Sequence, residues 1–238
     1  MKNYFLCLSL LALSTAPAFA ASPKAKVLWK EWYIFTVAEQ VQGYYSEETE
    51  ERTADKQLAV SQSWMEHDNG GTQTFIGSVA KNDAALSPIA FYVERKSNAG
   101  AISVDARTKD SKIVVQLKTG DATKKLEFTN EKALIWGNFL SLQLARAKKF
   151  PLTFSAMVED SKDGDFQPQL GTASSTTESK KIHGETCKKY QLKFRELASE
   201  WWLSKAGKIC EVTIPESGAR ITLSSEKDAL KAYQGAAK

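Results

Sequence analysis

A mainly β protein, an antiparallel sheet with one inserted helix and one C-terminal helix, is what this sequence predicts, and three observations carry that prediction. Segments with one apolar and one polar face succeed each other from Lys30 onward. Glycines and an Asn-Gly pair separate them at hairpin spacing. Apolar residues fall at helical spacing in only two stretches, before Pro151 and after Ser225.

The chain opens with Lys2, an apolar run over Tyr4 to Leu13 and the small-residue site Ala18-Phe19-Ala20. These are the three parts of a secretory signal peptide, with cleavage expected after Ala20 and a periplasmic destination. The run is too short to span a bilayer, for which about 20 apolar residues are needed, and no later stretch is longer, so no transmembrane segment is expected. Residues 21–238 are expected to form one domain.

The first strand, Glu31 to Val37, has Trp32 and Ile34 on one side and Tyr33, Phe35 and Val37 on the other. Two apolar faces predict a central strand. Gly43 to Glu51 and Gln57 to Glu66 are more polar, and Asn69-Gly70-Gly71 turns the chain into Thr72 to Val79. The charge run Glu47, Glu48, Glu50 and Glu51 is read as protection of a sheet edge. Four one-faced strands follow: Ile89, Phe91 and Val93; Ile102, Val104 and Ala106; Ile113, Val115 and Leu117; and Leu126 with Phe128. A two-sheet sandwich has the same alternation as a single curled sheet, so periodicity leaves both open.

Asn130 is placed to cap a helix carrying Trp136, Leu140, Leu144 and Ala147, with Arg146, Lys148 and Lys149 at its negative end before Pro151. Asp160 to Glu185 is rich in Ser, Thr, Asp, Lys and Gly and reads as a mobile connection with a strand near Phe166 to Thr172. Between Cys187 and Ser224, Tyr190, Leu192 and Phe194 alternate with charged residues, and Glu200 to Ser204, Lys208 to Ile214 and Arg220 to Leu223 complete a four-strand meander. Ser225 with Asp228 begins the closing helix in a pattern like a capping box.

Export leaves two cysteines, Cys187 and Cys210, in a compartment that permits a disulfide. A regular meander sets first and third strands about 9.5 Å apart, beyond disulfide reach. Both cysteines fall near the Ala206-Gly207 turn, however, and a bridge is favoured over two buried thiols.

The charges exclude some functions. Of 32 basic residues one, Lys2, leaves with the signal, so 31 face 28 acids, a balance of +3. Lysine pairs are dispersed rather than striped, which argues against nucleic acid as a partner. His67 and His183 lie in polar stretches, and no GxSxG, HExxH or phosphate-cradling glycine loop is present, so no enzyme activity, no cofactor and no metal is expected. Asp160, Asp163 and Asp165 miss the order of a calcium loop and read as a solvated turn. What remains is aromatic: Trp29, Trp32, Trp64, Trp136, Trp201 and Trp202 fill either a core or a ligand pocket.

The signal segment, the W-Y-I-F strand, the run of one-faced strands, the amphipathic helix before a proline and the closing Y-x-L-x-F, W-W-L and I-T-L segments together resemble the periplasmic outer-membrane lipoprotein carrier-like (LolA-like) superfamily. The resemblance implies a strongly curved antiparallel half-barrel whose concave cavity takes a lipid or acyl chain. It further implies that Trp32, Ile34, Phe91, Ile113, Val115, Tyr190, Leu192 and Trp201 line the concavity beneath Trp136, Leu140 and Leu144. Two functions follow as expectations. The first is a periplasmic binding or carrier protein for a lipid, acyl chain or lipoprotein anchor. The second is a non-catalytic structural or interaction module that meets an envelope protein.

Overall fold

The computed structural model describes residues 25–67, 71–131, 134–159, 166–194 and 197–236. The signal segment, the Asn69-Gly70 part of the predicted turn and the Asp160, Asp163 and Asp165 loop lie outside these residues.

Eight strands form an antiparallel meander: β1 (Ala25–Val37), β2 (Gln40–Arg52), β3 (Gln57–Glu66), β4 (Thr72–Lys81), β5 (Pro88–Ser97), β6 (Gly100–Lys109), β7 (Lys112–Thr119) and β8 (Ala122–Thr129). The second half runs through β9 (Leu134–Trp136), β10 (Leu152–Glu159), β11 (Phe166–Ile182), β12 (Glu185–Phe194), β13 (Leu197–Ser204), β14 (Ile209–Ile214) and β15 (Ala219–Ser224). β15 pairs back onto β1, so 15 strands form one sheet with β1 at its middle and β8 and β9 at its two edges. The central position expected for the first strand is what is found.

A twisted open sheet rarely exceeds about 10 strands without curling. Here curling also buries the apolar face that two short helices could not cover. The edge strand β9 turns inside the concavity, where the Trp136 indole Nε1 donates to the Val79 carbonyl at 3.0 Å and its ring lies 5.3 Å from Phe91. β9 pairs in parallel with β10 rather than closing onto β8, which leaves a curved open sheet and not a closed barrel.

Several expectations change. The segment after Asn130 is not one helix. Leu134, Ile135 and Trp136 are all buried and pair with Ser155, Ala156 and Met157. Ladder pairing there outweighs the helical spacing, and only a 3-10 turn over Gly137–Phe139 and a seven-residue helix α1 (Leu140–Arg146) remain. Asn130 is not the cap of either helical turn among the described residues; its backbone N–H donates to Ser111 O. Most of the predicted mobile connection is β11, a 17-residue strand whose Ser, Thr and Lys side chains are largely on solvated surface. The Glu47 to Glu51 run does not protect an edge, because β2 is paired on both sides. β2 and β3 approach so closely at Gly43 that a Cβ there would overlap the Met65 carbonyl oxygen.

The closing helix α2 (Glu226–Ala236) begins as expected, with the Asp228 N–H donating to Ser225 Oγ at 3.1 Å and that hydroxyl meeting Asp228 Oδ2 at 2.7 Å. It packs on the outer face of β1 and β2. Tyr233 meets Tyr44 edge-on at 5.2 Å and stacks on His67 at 3.9 Å.

Cys187 and Cys210 are bonded, with Cα atoms 6.5 Å apart. The approach comes from two departures from a regular meander. Cys187 lies opposite Ser204, the last residue of β13. Trp202 pairs with Glu211 and Leu203 with Ile209, so Cys210 is the extra residue of a β-bulge and shares the outer face with Glu211. Trp202 packs on the bridge, under the Lys180 ammonium at 4.2 Å from the ring centre.

Candidate functional site

Strand register decides which side chains meet inside the curl. Tyr33, Tyr45 and Trp64 are direct cross-strand neighbours on β1, β2 and β3, and their rings stack at 4.6 and 3.9 Å. Two residues along β2 and β3, Glu47 lies opposite Gln62 on the same inner face. From the other half of the sheet, Trp201, Val212 and Ile221 form a second inner row across β13, β14 and β15, with Leu192 of β12 diagonal to Trp201. Between the two halves lies a cavity of about 460 Å³, with Phe91, Leu140 and Met157 against the β9 and α1 side. Its size falls within the roughly 300–1,000 Å³ usual for small-ligand sites.

Most of the lining is apolar. Lining residues are buried at Phe91, Leu140, Met157, Leu192 and Val212, whereas Glu66, Arg95, Phe194 and Ile214 are half-buried and Leu197 is exposed. The latter group marks the mouth, where Arg95 Nε donates to Thr74 Oγ1 at 3.3 Å.

The deep end contains a carboxylate. Glu47 is 3% exposed. The Trp29 indole donates to its Oε1 at 3.2 Å, and the Gln62 amide donates to its Oε2 at 2.8 Å. Gln62 Oε1 in turn accepts from the Trp64 indole at 3.3 Å. Burial pushes the Glu47 carboxyl above the usual glutamate range; the two hydrogen bonds oppose this and Glu31 adds to it. No ion pair reaches Glu47 among the described residues. Tyr33 has its phenol pushed well above the ordinary value, first by burial and then by Glu47, and its hydroxyl has no hydrogen-bond partner among the described residues.

Of the residues expected to line a concavity, Phe91, Leu140, Leu192 and Trp201 do so. Trp136, Leu144, Ile113 and Val115 are fully buried packing residues, and Tyr190 packs against Phe150 at 5.7 Å. Trp32 and Ile34 are on the opposite face from Tyr33, and Trp32 stacks outside on Tyr44 at 5.8 Å. The strand's two faces look equally apolar in sequence, which leaves the choice between them open at that level. Glu47 and Gln62 escape the expected lining because polar residues inside a curl give no signal in hydrophobic alternation, and Trp64 is the one aromatic of a strand that reads as polar. His67 sits under α2, and His183 is exposed in the turn between β11 and β12, so neither reaches the cavity. No cluster of His, Cys, Asp and Glu suited to a metal ion occurs among the described residues, nor is any helix there long and apolar enough to cross a membrane.

No family model and no curated protein matches the chain. Among solved structures, the fold is similar to a β-barrel-like protein of the domain of unknown function DUF1849 from Brucella abortus, with a TM-score of 0.61 at 12% identity over 82% of this chain and 95% of that one. A DUF1089 family protein from Pseudomonas aeruginosa gives a TM-score of 0.45 at 11% identity over 73% of this chain and 90% of that one. The first likeness is one of fold alone: this chain is built on a β-barrel-like curved sheet.

Proposed function

We propose that this protein binds a hydrophobic or amphipathic small molecule, such as an acyl chain or lipid, in the cavity inside its curled sheet. The observation that carries this reading is the cavity itself: an opening of about 460 Å³ between two apolar rows, in a chain whose other inward side chains pack tightly. Each buried methylene of a ligand contributes about 0.8 kcal/mol, so a chain of moderate length binds without a charged anchor. The reading is one of binding: the polar groups at the deep end, a carboxylate, an amide and two indoles, are bonded to one another. The amino-terminal segment and the disulfide support an exported location, where such a protein holds or carries its ligand in the cell envelope.

Native mass spectrometry of the protein purified from its own cells, without detergent, tests this. A one-to-one adduct with a small amphipathic molecule, released on denaturation, is the expected spectrum. A bare polypeptide mass, unchanged after incubation with phospholipid and fatty acid, would contradict it. Such a protein that instead co-purified with a defined envelope protein would support the interaction-module reading.

A further inference from the structure

The deep end of the cavity presents an acceptor that no ion pair neutralises among the described residues. Both indole N–H groups and the Gln62 amide are oriented by one chain of bonds: Trp64 donates to Gln62, and Gln62 and Trp29 donate to Glu47. Every donor in that chain runs toward the carboxylate. An ionised carboxylate has room for about four hydrogen bonds, and two are made here. A buried anion with no counter-charge is costly, and a cation that arrives with a ligand removes that cost.

We infer that Glu47 makes the cavity selective for a ligand carrying a protonated amine on an apolar body, the ammonium seated against the carboxylate and the apolar part along Phe91, Leu192 and Val212. The inference rests on the cavity being a ligand site. The aromatic wall suits it, since Trp64, with one face stacked on Tyr45, lines the same space and an ammonium is attracted to an indole face.

The other charged groups near the site do not take this role. Glu31, on β1, is held by Lys208 of the β13–β14 turn at 2.9 Å, and Lys208 also pairs with Glu185. The lysine is thereby occupied by two acids and makes no bond to Glu47. Arg95 and Glu66 stand at the mouth. The phenols of Tyr33 and Tyr45 stay neutral, since burial first and Glu47 second raise both.

The pH dependence follows. An alkyl ammonium stays protonated through neutral pH, as a lysine with a pKa of about 10.4 does. Binding is therefore full while Glu47 is ionised and is lost as pH falls through its pKa, which burial places above the ordinary glutamate range.

Quenching of the intrinsic tryptophan emission by dodecylamine, dodecanol and dodecanoate, for the wild type and Glu47→Gln, tests the inference, because Trp64 and Trp201 line the cavity. The wild type should bind the amine at least about 10-fold more tightly than the alcohol, a difference worth about 1.4 kcal/mol. Glu47→Gln should erase that preference by weakening the amine more than the alcohol, and the wild-type preference should fade on acidification. Equal binding of amine and alcohol, or tightest binding of the carboxylate at the Arg95 mouth, would overturn the amine selectivity and leave the ligand site standing. Failure of all three to bind would overturn both. Should the variant not fold, the pH titration of the wild type decides.

Discussion

Replacing Trp136, the largest fully buried side chain among the described residues, by alanine is expected to destabilise the protein by about 3–5 kcal/mol. The indole is completely buried, packs on Phe91 and donates to the Val79 carbonyl across the curl. Truncation leaves both a void and an orphaned acceptor, and the two costs have the same sign. The position has a second consequence, because Trp136 belongs to the edge strand that turns back inside the sheet and ties that edge to β4 through Val79. Loss of the ring loosens the contact between the two halves of the sheet. Urea unfolding measures the effect, and a loss below about 1 kcal/mol would show that β9 contributes little to holding the curl shut.

Removing the disulfide with Cys187→Ala and Cys210→Ala together should cost about 3 kcal/mol, the chain-entropy value for a closed loop of this length. The two cysteines are 23 residues apart, and the loop they close contains all of β13. Because the bridge joins β12 to β14 past the end of β13, the loss should be concentrated there. Hydrogen exchange is expected to rise first in β13 and β14 and to leave β4 to β7 unchanged. The packing of Trp202 against the bridge adds to the loss, since alanine leaves the ring less covered. A double variant with wild-type stability would mean that the bulge and ladder hold this corner unaided.

Much of the fold is legible in the sequence because alternation survives in a sheet with one wet face. The strands containing Phe91, Val104, Val115 and Leu192 all lie where their apolar faces indicate. Curvature is not legible from the residues, since it arises from the number of strands and from how β15 returns to β1, neither of which a local period records. Trp136 shows a local pattern losing to a distant one: its helical spacing from Leu140 and Leu144 is real, but three paired backbone positions on β10 hold it extended. β11 shows the converse, a polar stretch that reads as a loop and becomes a strand because β10 and β12 pair with it on either side.

The candidate site is half legible. Phe91, Leu140, Leu192 and Trp201 are apolar residues on predictable faces, and hydrophobic patterning finds them. Glu47 is hidden among its neighbours: in a run of acids the face each residue takes is invisible until the register is known, and here Thr49 separates Glu47 and Glu48 from Glu50 and Glu51. Register places Glu47 opposite Glu31 and Gln62 on the inner face, while Glu48 reaches out to Lys30 at 3.5 Å. The same alternation sends Trp32 outward and Tyr33 inward, and only the docking of α2 on the outer face explains why both are apolar.

The central claim is that the space inside the curl accepts an apolar ligand. Calorimetric titration with dodecanol, for the wild type and for Val212→Phe, tests it most directly, since the added ring projects into the cavity. The account predicts saturable binding of one molecule with a negative heat-capacity change, and its loss in the variant while folding is retained. Equal heats in the two proteins, or none in either, would contradict it.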